Sequence, residues 1–250
     1  MTSAVQDQGT VIVTGASRGI GAAIAERLAS DGYGVIVNYA ADAQGAESVV
    51  SSIKAKGGRA EAVRADVASE DDVEAMFARA REQMGPLAAL VNNAGSIGDR
   101  ARVDEQRADA LTQLMQVNIV GPMVCAKHAV LAMSTAHGGK GGSIVTIASA
   151  AAKAPAGVTG AVAYDATKGA MVTFAHALSN EVASEGIRSN SVSPGIIDTE
   201  MAQPDIREEV VRTPIGRIGR PGEIAAAVSW LISPEASFVT GTDIAVTGGF

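Results

Sequence analysis

Thr10-Val11-Ile12-Val13-Thr14-Gly15-Ala16-Ser17-Arg18-Gly19-Ile20-Gly21 passes from a β-branched run into a glycine turn and on into an amphipathic stretch that reaches Asp31 and Gly32. β-branched residues suit a buried strand, so Thr10 to Thr14 is expected to be one, with a helix from Gly19 to Asp31 behind it. The amides that open such a helix face an anion, and glycines without Cβ let a pyrophosphate come close. The spacing is Gly-x-x-x-Gly-x-Gly rather than the Gly-x-Gly-x-x-Gly of the common dinucleotide fingerprint. Taken alone, the glycines would serve tight packing of the helix on the strand equally well.

The alternation continues outward from this unit. Further strands are expected at Gly34 to Tyr39, Glu61 to Arg64, Ala88 to Asn92, Ser143 to Ile147, Ile187 to Val192 and Asp243 to Val246. Helical patterns fill roughly Asp42 to Lys56, Asp109 to Ala136, Ala163 to Glu185 and Pro221 to Leu231, and Ser69 with the acids after it opens another. Strands separated by helices imply right-handed crossovers and a parallel sheet covered on both faces. No linker or repeat interrupts residues 1–250, so one domain is expected. Its ligands should lie beyond the carboxyl ends of the strands.

Composition narrows the class. Acidic residues outnumber basic ones 27 to 20, the net charge is −7, and the aromatics are 4 Phe, 1 Trp and 3 Tyr. Such a chain lacks the basic stripe and stacking surfaces of nucleic-acid binders. Its single cysteine, Cys125, excludes an intramolecular disulfide, and three scattered histidines make no zinc site. Met1 to Gly9 does not read as a signal peptide, and Ser143 to Tyr164, the longest low-charge stretch, is broken by Lys153 and Pro155. A cytoplasmic protein without a membrane partner is the default. Glycine is 28 of 250 residues, above the usual ~7%, and many glycines fall where strands end.

The second strand bears on the choice of dinucleotide. NAD sites place Asp or Glu near its end to hold the ribose, whereas NADP sites place a basic residue nearby. Here Asn38 and Tyr39 close the strand, no acid appears until Asp42, and Arg18 sits within the turn. NADP(H) is favoured, with NAD(H) left open. Asp66 and Val67, after the third strand, are candidates for the adenine edge, although an ordinary turn explains Asp66 as well.

Tyr164 and Lys168 are four apart on a helical pattern and share a face. A lysine cation beside a phenol favours the phenolate, lowers its pKa from about 10 and makes an acid/base pair. Ser149, just beyond a strand's carboxyl end, is placed to donate to a carbonyl oxygen held beside Tyr164. It would otherwise cap its own turn. Asn92-Asn93-Ala94-Gly95 closes the fourth strand at the same rim, either binding across the crevice or shaping a turn. Asn118 is out of place inside a helix unless it meets a polar pocket or a distorted turn.

Thr14-Gly15-x-x-x-Gly19-x-Gly21, Asn92-Asn93-Ala94-Gly95, Asn118, Ser149, Tyr164-x-x-x-Lys168 and Ser193-Pro194-Gly195-Ile196-Ile197-Asp198-Thr199 occur in that order. Together they resemble the short-chain dehydrogenase/reductases over essentially the whole chain. The resemblance implies a Rossmann-like three-layer αβα sandwich, an α/β fold with a doubly wound parallel sheet of about seven strands, and hydride transfer at a nicotinamide. It implies Tyr164 as acid/base, Lys168 on the nicotinamide ribose, Ser149 polarising the substrate oxygen and Asn118 holding a water in a proton relay. Gly15, Ser17, Arg18, Gly19, Ile20, Gly21, Asn38, Asp66, Val67, Asn92, Ala94 and Gly95 would line the cofactor site. Pro194, Gly195, Ile197 and Thr199 would lie at its nicotinamide end.

Two departures stand out. Tyr164 follows Ser149 by fifteen positions, more than in many relatives, and the extra residues within Ala150 to Gly160 should reshape a wall of the substrate pocket. Thr167 replaces a frequent serine. Residues 196–217 resemble a mobile substrate lid, with Met201, Ile206 and Val210 either as apolar contacts or packed inward by a surface helix pair. The expected substrate is a small ketone or secondary alcohol, sugar or polyol, in keeping with a likeness to glucose dehydrogenases. A 3-oxoacyl-carrier-protein reductase ranks second, because docking an acidic carrier needs a basic patch. Arg100, Arg102 and Arg107 are the candidates for one, although a solvated loop face explains them better. A non-catalytic NADP(H)-binding protein is the reading from another class. Relatives imply a homotetramer built on the two long helices and the C-terminal strand, with Ala126, Ala129, Val130 and Met133 suited to close contact, although core burial explains them equally well.

Overall fold

The computed structural model describes residues 8–153, 160–200 and 213–249. Among them, β1 (Thr10–Val13), β2 (Gly34–Tyr39), β3 (Arg59–Arg64), β4 (Leu87–Asn92), β5 (Gly142–Ile147), β6 (Ile187–Pro194) and β7 (Asp243–Val246) form one sheet in the order β3-β2-β1-β4-β5-β6-β7. Every neighbouring pair is parallel, with Val13 beside Val37 on one side and Val91 on the other. The chain walks from β1 to one edge, then returns to place β4 against β1. The carboxyl ends of β1 and β4 therefore part around a crevice at this switch point.

Alternation along the strands divides the core in two. Val11, Val13, Val35, Val37, Val91 and Val145 face α1 (Gly19–Ser30) and α2 (Ala43–Ala55) on one side. Ile12, Ile36, Leu90 and Ile144 face α3 (Glu70–Met84) on the other. Each fully buried aliphatic side chain contributes roughly 1.5–3 kcal/mol, so a sheet covered on both faces is strongly favoured. Ser69 opens α3 as expected, accepting the Asp72 N–H at 3.3 Å with Glu70, Asp71 and Asp72 in the first turn.

The helix expected over Asp109 to Ala136 is broken. It runs as α4 (Ala108–Met115), a π-helical turn at Gln116–Val120 and α5 (Gly121–Met133). Pro122 supplies the reason: it has no N–H for the carbonyl four residues back, and its ring crowds that carbonyl. The residue four back is Asn118, so the distortion falls on the misplaced asparagine. This rod, Ala108–Met133, contains an 18-residue window of mean hydropathy 1.3, long and apolar enough to cross a membrane. Here it packs on the sheet, burying Leu114, Cys125, Ala126, Ala129 and Met133. Only 39% of that window is buried, and Val120, Met123 and Leu131 stay exposed. Among the described residues the other α-helices are α6 (Val162–Val182) and α7 (Pro221–Ile232).

Candidate active site

The glycine turn is built as a cradle. Gly15 and Gly19 have φ of +61° and +58°, a conformation glycine adopts without strain. A Cβ on Gly15 would lie 2.9 Å from Ala94 Cα, and one on Gly21 would lie 2.5 Å from Asn93 Nδ2. The turns after β1 and β4 are thus pressed backbone to backbone. Thr14 Oγ1 accepts the N–H groups of Asn93 and Ala94 at 2.9 and 3.0 Å. Asn93 Nδ2 returns donors to the carbonyls of Thr14 and Gly15 at 2.9 and 3.0 Å.

Asn93, not Asn92, therefore serves the cradle. Asn92 is buried and donates to the Pro122 carbonyl at 3.0 Å, away from the crevice. It is not among the residues that line the cleft. Consecutive residues near a strand end face opposite sides, and the strand register needed to choose between two adjacent asparagines is a tertiary property.

At the far end, Asn38 is buried beneath the turn. Its Oδ1 accepts the Gly15 N–H at 3.1 Å, and its Nδ2 donates to the carbonyls of Val63 and Ala65 at 3.3 and 3.0 Å. The amide braces β1, β2 and β3, and lines the cleft as a floor. Asp42 accepts the Gly45 N–H at 2.9 Å and caps α2. Asp66 accepts the Ala68 N–H at 2.9 Å within its own turn. Arg18 is largely exposed and pairs with Glu200 at 3.4 Å.

At the reactive end, Ser149 follows β5 and Tyr164 and Lys168 project from the first turns of α6. Lys168 is buried at 7% exposure, donates to the Ile147 carbonyl at 2.9 Å and stands 5.7 Å from the Tyr164 ring centre. Burial pulls its pKa down to about 8. Burial also holds the Tyr164 hydroxyl above its ordinary value, the Asp165 carboxylate adds to the rise, and a hydrogen bond with Ser149 draws it back. The expected lowering by Lys168 is not what this environment produces. Both groups lose water together, and desolvation of the phenolate outweighs the neighbouring cation.

Asn118 is buried beside them. Its Oδ1 accepts the Ser96 N–H at 2.8 Å, and its Nδ2 donates to the Ser96 carbonyl at 2.8 Å and to Thr167 Oγ1 at 3.0 Å. Thr167 passes the link on to the Tyr164 carbonyl at 2.7 Å. The Asn118 side chain is a brace between the loop after β4 and α6.

A single cleft of about 1020 Å³ connects the two ends. Its lining takes in Ser149, Tyr164 and Lys168 and each expected cofactor residue except Asn92: Gly15, Ser17, Arg18, Gly19, Ile20, Gly21, Asn38, Asp66, Val67, Ala94, Gly95, Pro194, Gly195, Ile197 and Thr199. Ser96 and Asp165 also line it and had no expected role, as do Asn93 and Tyr39, expected only as parts of their motif and strand, and Arg100, expected only as part of a basic patch. Only their proximity to named motifs could have signalled them. Bare backbone at the glycine turn and a buried lysine at the other end suit an elongated anionic dinucleotide. Of the expected lid, Met201, Ile206 and Val210 lie outside the described residues. Its ends are joined where the Asp198 N–H donates to the Gly219 carbonyl at 2.8 Å and the Gly219 N–H to that of Ile196 at 2.9 Å.

Residues 15–250 match the family model described as enoyl-(acyl carrier protein) reductase. The chain is 41% identical over 244 residues to the uncharacterized oxidoreductase YgfF of Escherichia coli, covering 95% of this chain and 98% of that protein. It is 37% identical to glucose 1-dehydrogenase 2 of Bacillus subtilis, covering 96% and 93%. It is also 37% identical to a 3-oxoacyl-[acyl-carrier-protein] reductase of Staphylococcus aureus, covering 96% and 97%. Among solved structures, a short-chain dehydrogenase/reductase of Serratia marcescens aligns with TM-score 0.90 at 34% identity over 99% of both chains. A blue fluorescent protein from a metagenomic library, in complex with NADPH, aligns with the same score, identity and coverage. A 7α-hydroxysteroid dehydrogenase complexed with NADH aligns with TM-score 0.90 at 31% identity, covering 97% and 94%. With its parallel seven-stranded sheet and these full-length matches, the chain belongs to the short-chain dehydrogenase/reductases and is an oxidoreductase of that family.

Proposed function

We propose that this protein interconverts a ketone and a secondary alcohol with NADP(H), using Ser149, Tyr164 and Lys168. The observation that carries the reading is the meeting of these three side chains in one cleft with the glycine cradle. The bound dinucleotide would supply or accept the hydride. Gly15, Gly19 and Gly21 let the turn close against its neighbours so that its backbone would face the pyrophosphate, Lys168 would serve the nicotinamide ribose, and Pro194 and Gly195 would border the nicotinamide end.

Ser149 and Tyr164 grip the substrate oxygen. During reduction Tyr164 gives its hydroxyl proton to that oxygen, and during oxidation it takes the proton back. Because burial holds the hydroxyl protonated, the resting site is set for donation. Lys168 is mostly charged at neutral pH with a pKa of about 8, and favours the phenolate that donation leaves.

The NADP(H) preference rests on the end of β2. The first carboxylate after it, Asp42, is engaged in capping α2, while the Arg18 guanidinium stays largely in solvent at the cleft mouth. The relative bound to NADPH supports this reading, and the one bound to NADH marks the alternative. Ile97, Ala150, Ala151, Ala161 and Ile196 give the reactive end an apolar wall, suited to a small ketone. The acyl-carrier reading ranks lower because Arg102 and Arg107 are paired with Asp104 and Asp109. Residues 1–250 would act as one catalytic unit closed by a lid at 196–217. A homotetramer would use Val120, Met123 and Leu131, which remain exposed. Ala126, Ala129 and Met133, expected at that contact, are buried against the sheet, and Val130 packs on the same core.

The test is titration with NADPH and NADH, then a ketone panel with the tighter cofactor. Turnover that Tyr164→Phe abolishes with binding retained is the expected result. Tight binding without turnover of any ketone would overturn the assignment.

A further inference from the structure

We propose that Asp243 on β7 is a positioning residue for Ser149, acting through Lys153. The inference rests on the catalytic reading of Ser149 given above.

Ser149 leaves β5 and at once caps a short 3-10 turn, Ala150–Ala152, its Oγ accepting the Ala151 N–H at 3.2 Å. The Ala152 N–H donates to the Ser149 carbonyl and the Lys153 N–H to that of Ala150, both at 3.0 Å. Lys153 thus ends a hydrogen-bonded unit that begins at Ser149. A single 3-10 turn has poorer hydrogen-bond geometry than an α-helix, so an anchor at its outer end would steady it.

That anchor is a carboxylate from the far edge of the sheet. Lys153 Nζ lies 2.5 Å from Asp243 Oδ2, with the lysine side chain 56% exposed and the aspartate 7%. Asp243 is itself gripped from β6: Ser191 Oγ and Ser193 Oγ both donate to its Oδ1, at 2.7 and 2.8 Å. Burial raises its pKa, while Lys153 and the two serines lower it further and leave it below the ordinary carboxylate range. The carboxylate stays charged.

Three elements therefore meet at one side chain. Lys153 belongs to the turn that presents Ser149. Ser193 directly precedes Pro194 and Gly195 at the nicotinamide end. Asp243 stands three residues before Val246, whose carbonyl takes the Gly195 N–H at 3.0 Å. Asp243 links the substrate-oxygen donor to the strand that borders the nicotinamide. A buried carboxylate with two serine donors would hold β7 to β6 without any lysine, and the pair with Lys153 is what extends its reach to the Ser149 turn.

The test combines ketone kinetics with amide hydrogen exchange on the holoenzyme with NADPH. Lys153→Met and Asp243→Asn should each lower kcat/KM for a ketone about tenfold, leave the NADPH Kd within about twofold, and speed exchange at Ala152 and Lys153. The double variant should be no worse than either single, and Lys153→Arg should restore the rate. In a Ser149→Ala background, Lys153→Met should have no further effect. Unchanged kcat/KM and unchanged exchange in Lys153→Met would overturn the proposal and leave Asp243 a clamp between β6 and β7. Additive losses in the double variant would overturn it equally. If the wild type reduces no ketone, the catalytic reading fails, and the exchange data still decide whether the tether holds the turn.

Discussion

Lys168 directs its ammonium at the Ile147 carbonyl, 2.9 Å away, and so stands 5.7 Å from the centre of the Tyr164 ring. One backbone oxygen at the end of β5 thereby places the cation beside the phenol before any ligand arrives. Ser149 lies two residues further along the same chain, so β5 leads to Ser149 and anchors Lys168, while α6 carries both Tyr164 and Lys168.

Loss of the Tyr164 hydroxyl should remove chemistry and spare binding. Tyr164→Phe is expected to lower kcat by roughly 10²–10⁴, the range for a positioned acid. The NADPH Kd, followed by fluorescence, should stay within about twofold, since Lys168 keeps its own anchor. A rate loss below about tenfold would mean that another group donates the proton.

The pH dependence follows from Lys168 and Tyr164 together. Lys168 loses its charge as pH rises through about 8, while burial keeps Tyr164 protonated beyond its ordinary range. Reduction should therefore hold level at neutral pH and decline above about 8. Oxidation, which needs the basic form of the site, should increase with pH. A reduction rate that climbs steadily from about pH 7 to about pH 9 would contradict this assignment.

Stability carries the same signature with its sign reversed. The folded pKa of Lys168, about 8, is below its unfolded value of 10.5. Folding thus disfavours the charged form, at full cost below about 8 and progressively relieved up to 10.5. Relative to Lys168→Met, the wild type should gain melting temperature across that window. A constant difference between the two melting curves at pH 7 and at about pH 10 would exclude it.

Arg18 should report on the second phosphate. If it holds that phosphate as proposed, its replacement by Ala would remove a charge-assisted contact of roughly 1.5–3 kcal/mol, reduced because the side chain is largely exposed and pairs with Glu200. NADPH binding should weaken about tenfold and lose part of its salt dependence, with NADH binding unchanged. Equal weakening of both cofactors would place Arg18 on the shared pyrophosphate.

Gly21→Ala sets two effects against each other. Alanine stabilises a helix interior by about 1 kcal/mol over glycine, and Gly21 has no left-handed backbone to lose. The new Cβ would nevertheless meet Asn93 Nδ2 at 2.5 Å and Ala16 Cα at 2.9 Å. Overpacking of this kind costs about 1–3 kcal/mol, so the melting temperature should fall and dinucleotide affinity with it. A rise in melting temperature would show that the two turns are less tightly packed.

The chain's order of strand, glycine turn and helix, with β-branched runs recurring between amphipathic stretches, determined the layers, the parallel sheet and the end at which ligands bind. Those features follow from local periodicity and from glycine's missing side chain, both of which are written residue by residue. Ser149, Tyr164 and Lys168 were legible because a strand end and one helical turn bring them together. The choice between Asn92 and Asn93 needed strand register, and the break at Asn118 needed the proline ring set against its carbonyl. Asp243 lies 90 positions from Lys153 in sequence, and no local pattern joins them. Burial, which reversed the expected shift of Tyr164, is a property of the packed molecule: the free energy of a charge depends on how much water the other elements remove from it.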